Sequence, residues 1–160
     1  MNKQQILALI VARLEADLEV AHRAALAAYE AATHEENIAE NKYDTLGLEA
    51  SYLAAGQARR VEEIRQSLTL YRKWPVRPFD DSQGVQVGDL ITLLAPGGQP
   101  QYFFLGPDAA GLKLDAYDST ITVITARAPL GRSLLGRFEG DEVEILVSGS
   151  RQLFEVAAVI

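Results

Sequence analysis

LALIVARLEADLEVAHRAALAAYEAA, residues 7–32, decides the fold of the first half of this chain. Leu7, Val11, Leu14, Leu18, Ala21, Ala25, Ala28 and Ala32 follow one another at spacings that alternate four and three. A helix turning every ~3.6 residues keeps such positions on one stripe, and the pattern is the seam of a coiled coil. Farther on, Ala50, Ala54, Gln57, Val61, Ile64, Leu68 and Tyr71 repeat the alternation, with Leu46 and Leu53 beside them. No proline interrupts either stretch, and Gly47 and Gly56 alone weaken the second. Two seams joined by a short segment bury each other by folding back, so residues 1–73 are predicted to form an antiparallel helical hairpin. A helix of about 30 residues is roughly 45 Å long. The seam is built of large residues at the open end (Leu7, Val11, Ile64, Leu68) and of alanine toward the closed end, so the hairpin should thin where it ends.

Trp74-Pro75-Val76-Arg77-Pro78 stops the second helix, because proline lacks an amide donor and pushes its predecessor out of the helical region. Residues 74–84 read as a linker finished by Asp-Asp-Ser-Gln-Gly. Beyond it the apolar period drops toward two. Strands are expected at Val85–Leu94, Gln101–Leu105, Gly111–Asp115, Ile121–Ala126, Glu142–Val147 and Leu153–Val159, punctuated by Pro96-Gly97-Gly98 and Ser148-Gly149. One short helix is expected at Leu130–Gly136. The fold class is therefore α+β, a helical hairpin followed by a small antiparallel β domain over 85–160.

The bulk properties exclude several functions. A chain of 160 residues, 48% apolar and 23% charged, is expected to be globular rather than disordered. No apolar run reaches the ~18 residues of a membrane span, and no leader-like segment opens the chain. The absence of cysteine rules out disulfides and thiolate metal sites and suits a reducing cytoplasm. A net charge of −7 opposes tight binding to a phosphate backbone, so any nucleic acid is expected to be reached through a protein partner. There is no glycine-rich phosphate loop, no nucleophile paired with a base and no histidine pair at metal spacing. A hairpin that satisfies its own seam needs no second chain, so a monomer is expected.

Charge is placed unevenly. Between Glu30 and Glu49, six acids (Glu30, Glu35, Glu36, Glu40, Asp44, Glu49) stand against one base, Lys42. Most of them lie in the segment 34–44 between the two helical stretches, with Asn37, Asn41 and Tyr43 among them. Carboxylates on the end of a long hairpin can meet a metal or a basic pocket far from the rest of the protein. The same residues also suit the start of a helix, where acids complement the dipole and Asn37 can cap. Along the second helix Arg59, Arg60, Arg65, Arg72 and Lys73 form a basic face that can either pair with Glu62 and Glu63 or meet a partner.

A specific pattern lies at PLGRSLLGRFEGDEVE, Pro129–Glu144. It resembles the C-terminal domain of the bacterial Gre transcript-cleavage factors, where Ser-Pro-x-Gly-x-x-Leu-x-Gly-x-x-x-Gly-Asp-x-Val occurs in an FKBP-like sheet. The order of parts is similar too, and Glu40-Asn41 followed by Tyr43 resembles the Gre Glu-Asn-x-x-Tyr segment. The resemblance implies an accessory factor rather than an enzyme. It implies binding to RNA polymerase through the loop that carries Arg127, Pro129, Leu130 and Gly131. The hairpin would then enter the secondary channel, with Glu36 and Glu40 assisting a Mg²⁺ shared with the polymerase active site. Nascent RNA would be met indirectly, during cleavage of backtracked transcripts. Glu35, Asn37, Asn41 and Asp44 would shape the tip, with the basic face of Arg59, Arg60 and Arg65 behind it. The sequence departs from the pattern at Asn37, where the family has an aspartate, and at Ala128, where it has a serine. A channel occupant that does not stimulate cleavage, or inhibits, is the alternative that Asn37 favours. A chaperone or isomerase-like module is the alternative from another class.

Overall fold

The computed structural model describes residues 1–34 and 46–160; the tip residues Glu35, Glu36, Asn37, Glu40, Asn41, Tyr43 and Asp44 lie outside them. Its elements are α1 (Lys3–Thr33), α2 (Leu46–Lys73), β1 (Leu90–Leu94), β2 (Pro100–Leu105), β3 (Lys113–Ala116), β4 (Ser119–Ile124), α3 (Pro129–Leu134), β5 (Glu142–Val147) and β6 (Ser150–Val159). They form two compact units, Val11–Thr69 and, together, Met1–Ile10 with Leu70–Ile160. Among the described residues no helix is long and apolar enough to cross a membrane.

In the helical unit the seam follows the sequence pattern. Leu14, Ala21 and Ala28 are buried, and Val11, Leu18, Ala25 and Ala32 between them are half-buried. On α2, Val61, Ile64 and Leu68 are buried and Ala50, Ala54 and Gln57 half-buried. His22 Nε2 on α1 lies 3.2 Å from Arg65 Nη2 on α2, tying the two arms outside the seam. Leu53, which the sequence places beside the seam, is exposed.

In the other unit the six strands stand in the order β3-β4-β2-β1-β6-β5. The expected antiparallel sheet needs one correction: β2 and β4 pair in parallel, Tyr102 beside Ile121 through Leu105 beside Ile124, and the other neighbours are antiparallel. The reason is burial. Of the β3–β4 hairpin, β4 carries buried Ile121, Val123 and Ile124, whereas β3 has four residues with Lys113 and Asp115 exposed. Placing β4 against β2 and β3 outside it covers the apolar strand. A second correction concerns Val85–Asp89, expected as the start of a strand. Gly88 has φ of +103°, and the Asp89 carboxylate accepts from the Gln86 N–H at 2.8 Å, so the segment turns and the strand begins at Leu90.

One face of the sheet packs Ile91, Leu93, Leu105, Ile124, Phe154, Val156 and Val159 with Val85, Val143 and Leu134 of α3. Val156 and Val159 are three apart yet both buried, which a strict two-residue alternation forbids. A register shift opposite Thr92 and Leu93 supplies the extra residue. The opposite face carries buried Leu90, Phe104, Leu114, Ile121 and Val123.

The ends of both long helices that belong to this unit are fastened to it. Asn2 caps α1, its Oδ1 accepting from the N–H groups of Gln4 and Gln5 at 2.8 and 3.3 Å. The Tyr117 hydroxyl on the β3–β4 turn accepts from the Asn2 N–H at 3.3 Å and donates to Gln5 Oε1. Lys3 Nζ lies 3.2 Å from Asp89 Oδ1, and Arg77 Nη1 3.5 Å from the same oxygen. The Tyr71 hydroxyl donates to the Asp108 carbonyl at 2.6 Å. Burial pushes the ionisation of that hydroxyl well above the ordinary tyrosine range, so it stays a donor at any physiological pH.

Candidate functional site

Two regions carry the residues that the sequence singles out, one in each unit. In the helical unit, α1 ends at Thr33 and α2 begins at Leu46, so the acidic segment connects the two arms. Thr33 Oγ1 donates back to the Tyr29 carbonyl at 3.0 Å, and Ser51 Oγ to that of Gly47 at 2.9 Å. Glu49 in the first turn of α2 complements its dipole. Nearest the segment the arms expose Leu26, Tyr29, Leu48, Tyr52 and Leu53, because alanine seams leave larger residues nowhere to bury. Arg59, Arg60 and Arg65 are all exposed on α2. Arg60 approaches Glu63 at 3.7 Å, the i,i+3 pairing expected of a solvated face, while Arg65 meets His22.

In the sheet unit, β4 runs into α3 through Thr125–Ala128. Pro129 at the first turn of α3 presets the helical φ, and Ala128 before it is extended, φ −79° and ψ 152°, with no side-chain cap. The serine of the related pattern would supply that cap. The four residues expected to contact a partner divide by exposure. Arg127 and Pro129 are exposed, Leu130 is half-buried against the core, and Gly131 is buried. A Cβ on Gly131 would stand 2.0 Å from the Thr125 carbonyl oxygen. The glycine lets α3 lie against the end of β4, which aims the Arg127–Pro129 turn outward. Arg127 Nη2 lies 3.3 Å from Asp108 Oδ1.

Asp108 was not singled out by sequence, yet it meets Arg127 with its carboxylate and Tyr71 with its carbonyl. The turn signal Gly106-Pro107-Asp108 marks the loop but not its partners, which are 19 and 37 residues away. Lys3, Arg77 and Asp89 were missed for the same reason. Among the described residues no group of three or more His, Cys, Asp or Glu could hold a metal.

A long helical hairpin, followed along the chain by a six-stranded mixed sheet with a short helix after β4, defines a two-part protein. The chain is 31% identical over 121 residues to the transcription elongation factor GreA of Desulfovibrio desulfuricans, covering 72% of this chain and 68% of that protein, and it belongs to the GreA family. It is 28% identical over 102 residues to GreA of Vibrio cholerae serotype O1, covering 62% of this chain and 60% of that protein. The chain thus spans about three fifths of the length of that relative. No family model matches. The crystal structure of GreA factor homolog 1 of Thermus thermophilus aligns over 94% of each chain at 19% identity with a TM-score of 0.39, too low to add weight.

Proposed function

We propose that this chain is a Gre-like transcription elongation factor that binds RNA polymerase through the Arg127–Pro129 turn. Its hairpin enters the secondary channel and presents the segment 34–44 to the active site. The observation that carries this reading is the GreA relationship of a chain whose acidic segment joins two long helices. The relatives' names supply transcription elongation; polymerase, its secondary channel and the shared Mg²⁺ are what the Gre resemblance implies. Arg127 is the accessible cation of the turn, with its side chain 80% exposed, and Asp108 keeps it positioned before any partner arrives. That partner surface should be acidic.

Glu36 and Glu40 would hold a Mg²⁺ shared with the polymerase. Oxygen donors suit a hard cation that keeps several waters and accepts one or two carboxylates from any one protein. The ion, when bound, lowers the pKa of a coordinated water and so supplies the nucleophile for phosphodiester cleavage. Glu36 and Glu40 provide the negative charge, Glu35 and Asp44 deepen the local potential, and Asn37 and Asn41 can accept or donate hydrogen bonds without adding charge. A second reading, occupation of the channel without cleavage, is favoured by Asn37, which cannot replace a carboxylate's charge.

The test is transcript shortening in backtracked elongation complexes. The chain should accelerate it, and Glu36→Gln with Glu40→Gln should lower the accelerated rate at least tenfold, equivalent to about 1.4 kcal/mol of transition-state stabilisation. Polymerase binding with no acceleration would select the second reading. Replacing Arg127 with alanine should weaken polymerase binding by about 5- to 30-fold, as loss of a contact worth ~1–2 kcal/mol does. Unchanged affinity would move the contact elsewhere.

A further inference from the structure

The connection between β2 and β3 is fastened to the end of β4 at both of its own ends. The Gly106 N–H donates to the Ile124 carbonyl and the Gly111 N–H to the Val123 carbonyl, each at 2.8 Å. Between these anchors the chain bends at Ala109, whose φ of 63° is left-handed. Asp108 stands at that bend and faces two ways. Its carbonyl accepts from the Tyr71 hydroxyl at 2.6 Å, and its carboxylate lies 3.3 Å from Arg127 Nη2. Tyr71 is 2% exposed, whereas the side chain of Asp108 is 30% exposed and that of Arg127 80%. The three groups therefore lead from a packed interior to the accessible turn.

Gly106 makes the reach of the tyrosine possible. A Cβ there would stand 2.1 Å from the Tyr71 hydroxyl oxygen and 3.1 Å from Val123 Cγ1. The backbone of Gly106 is not left-handed, so glycine is needed here for space rather than for conformation. An ion pair as exposed as Arg127–Asp108 adds little to stability. Its weight lies in what it does to the arginine, a long side chain that gives up rotamer freedom when a partner takes it. A carboxylate that holds the guanidinium beforehand removes part of that cost, provided that the carboxylate is itself held.

We propose that Tyr71 is a positioning residue for the polymerase contact. Its hydroxyl, passing Gly106 to reach the Asp108 carbonyl, fixes the carboxylate that sets the Arg127 guanidinium for the partner. This rests on the reading of Arg127 as a polymerase contact. Buried as it is, Tyr71 acts through Asp108 and not on the partner directly. The sign of the effect is informative. Against an acidic partner the Asp108 charge by itself repels, so loosening or neutralising it would tighten binding if long-range charge decided the matter. Positioning predicts the reverse.

The test is a double-mutant cycle in equilibrium binding of the full chain to RNA polymerase. Tyr71→Phe keeps the ring and removes the hydroxyl. It should weaken binding about 3- to 10-fold, the cost of immobilising one long side chain on association. In an Arg127→Ala background the same change should cost less than about 1.5-fold, because the group being positioned is gone. A hydroxyl that only stabilised the fold would affect both backgrounds alike, and that result overturns the proposal. So does a loss below about twofold in the parent chain, or tighter binding by Tyr71→Phe or Asp108→Asn. If Arg127→Ala itself leaves affinity unchanged, the polymerase reading of the turn is what fails. The positioning role is then decided on the free chain by ¹⁵N relaxation at Arg127 Nε. The guanidinium should be more mobile in Tyr71→Phe than in the parent, and equal mobility overturns the proposal.

Discussion

Replacing Gly131 with alanine lowers the stability of the sheet unit by about 3 kcal/mol or more, although alanine is the better helix former. Helix propensity alone predicts a gain of about 1 kcal/mol. The sign reverses because the added Cβ would sit 2.0 Å from the Thr125 carbonyl oxygen and 2.7 Å from its carbon. Both are backbone, so either α3 or the end of β4 must move. Inserting a methylene into a well-packed site typically costs about 1–3 kcal/mol, and here no flexible side chain can yield. Gly56 in α2 is the control, since nothing lies within 4 Å of a Cβ there. Gly56→Ala should raise stability by roughly 0.5–1 kcal/mol. Urea denaturation followed by the single tryptophan, Trp74, reports the sheet unit, and far-UV circular dichroism reports the helices. If both substitutions shift the midpoint in the same direction, the close approach of α3 is wrong. The prediction bears on function, because the displaced α3 carries the Arg127–Pro129 turn with it.

The second large effect is expected at Asp89. Its side chain is fully buried, and its two oxygens face Lys3, Arg77 and the Gln86 N–H. Asp89→Ala leaves Lys3, whose side chain is 8% exposed, without its carboxylate. Breaking a buried pair by removing one member costs about 3–5 kcal/mol, most of it the penalty of the stranded charge. Lys3→Met should be much milder. The carboxylate keeps Arg77 and the Gln86 N–H, and methionine fills the space of the lysine stem. The expected order is therefore Asp89→Ala far below Lys3→Met, and Lys3→Met below the parent chain by about 1–2 kcal/mol. Because these groups are shielded from solvent ions, the difference should persist in ~1 M salt. An Asp89→Ala variant within about 1 kcal/mol of the parent would remove the ion cluster from any structural role.

Much of this fold is legible in the sequence because its signals are local. The alternation of four and three from Leu7 to Ala32 reappears as alternating buried and half-buried residues. Each of the six expected strands overlaps an observed one, and the expected helix Leu130–Gly136 overlaps α3, with ends displaced by as many as five residues. The failures involve partners distant in the chain. Val85–Asp89 has the apolar content of a strand, and it turns at Gly88, where the Asp89 carboxylate takes the Gln86 N–H and meets Lys3, 86 residues away. The parallel β2–β4 pairing is decided by which strand of a hairpin needs covering, a choice invisible to either strand alone. At the candidate site, Arg127 and Pro129 emerge as accessible, while the reason for Gly131 is a carbonyl that no motif names. Asp108 belongs to the site through two contacts made at once by its side chain and its backbone.

The sequence by itself determined the helical hairpin, the run of carboxylates between its arms, the β-rich second half and the Gre resemblance. Each rests on spacing within a few dozen residues, where periodicity translates directly into a buried stripe or face. Tertiary structure alone decided the strand order, the burial of Asp89 with its cations, the packing role of Gly131 and the place of β5 at an edge of the sheet. Those depend on which distant groups share one small volume, and burial energies are settled there rather than along the chain.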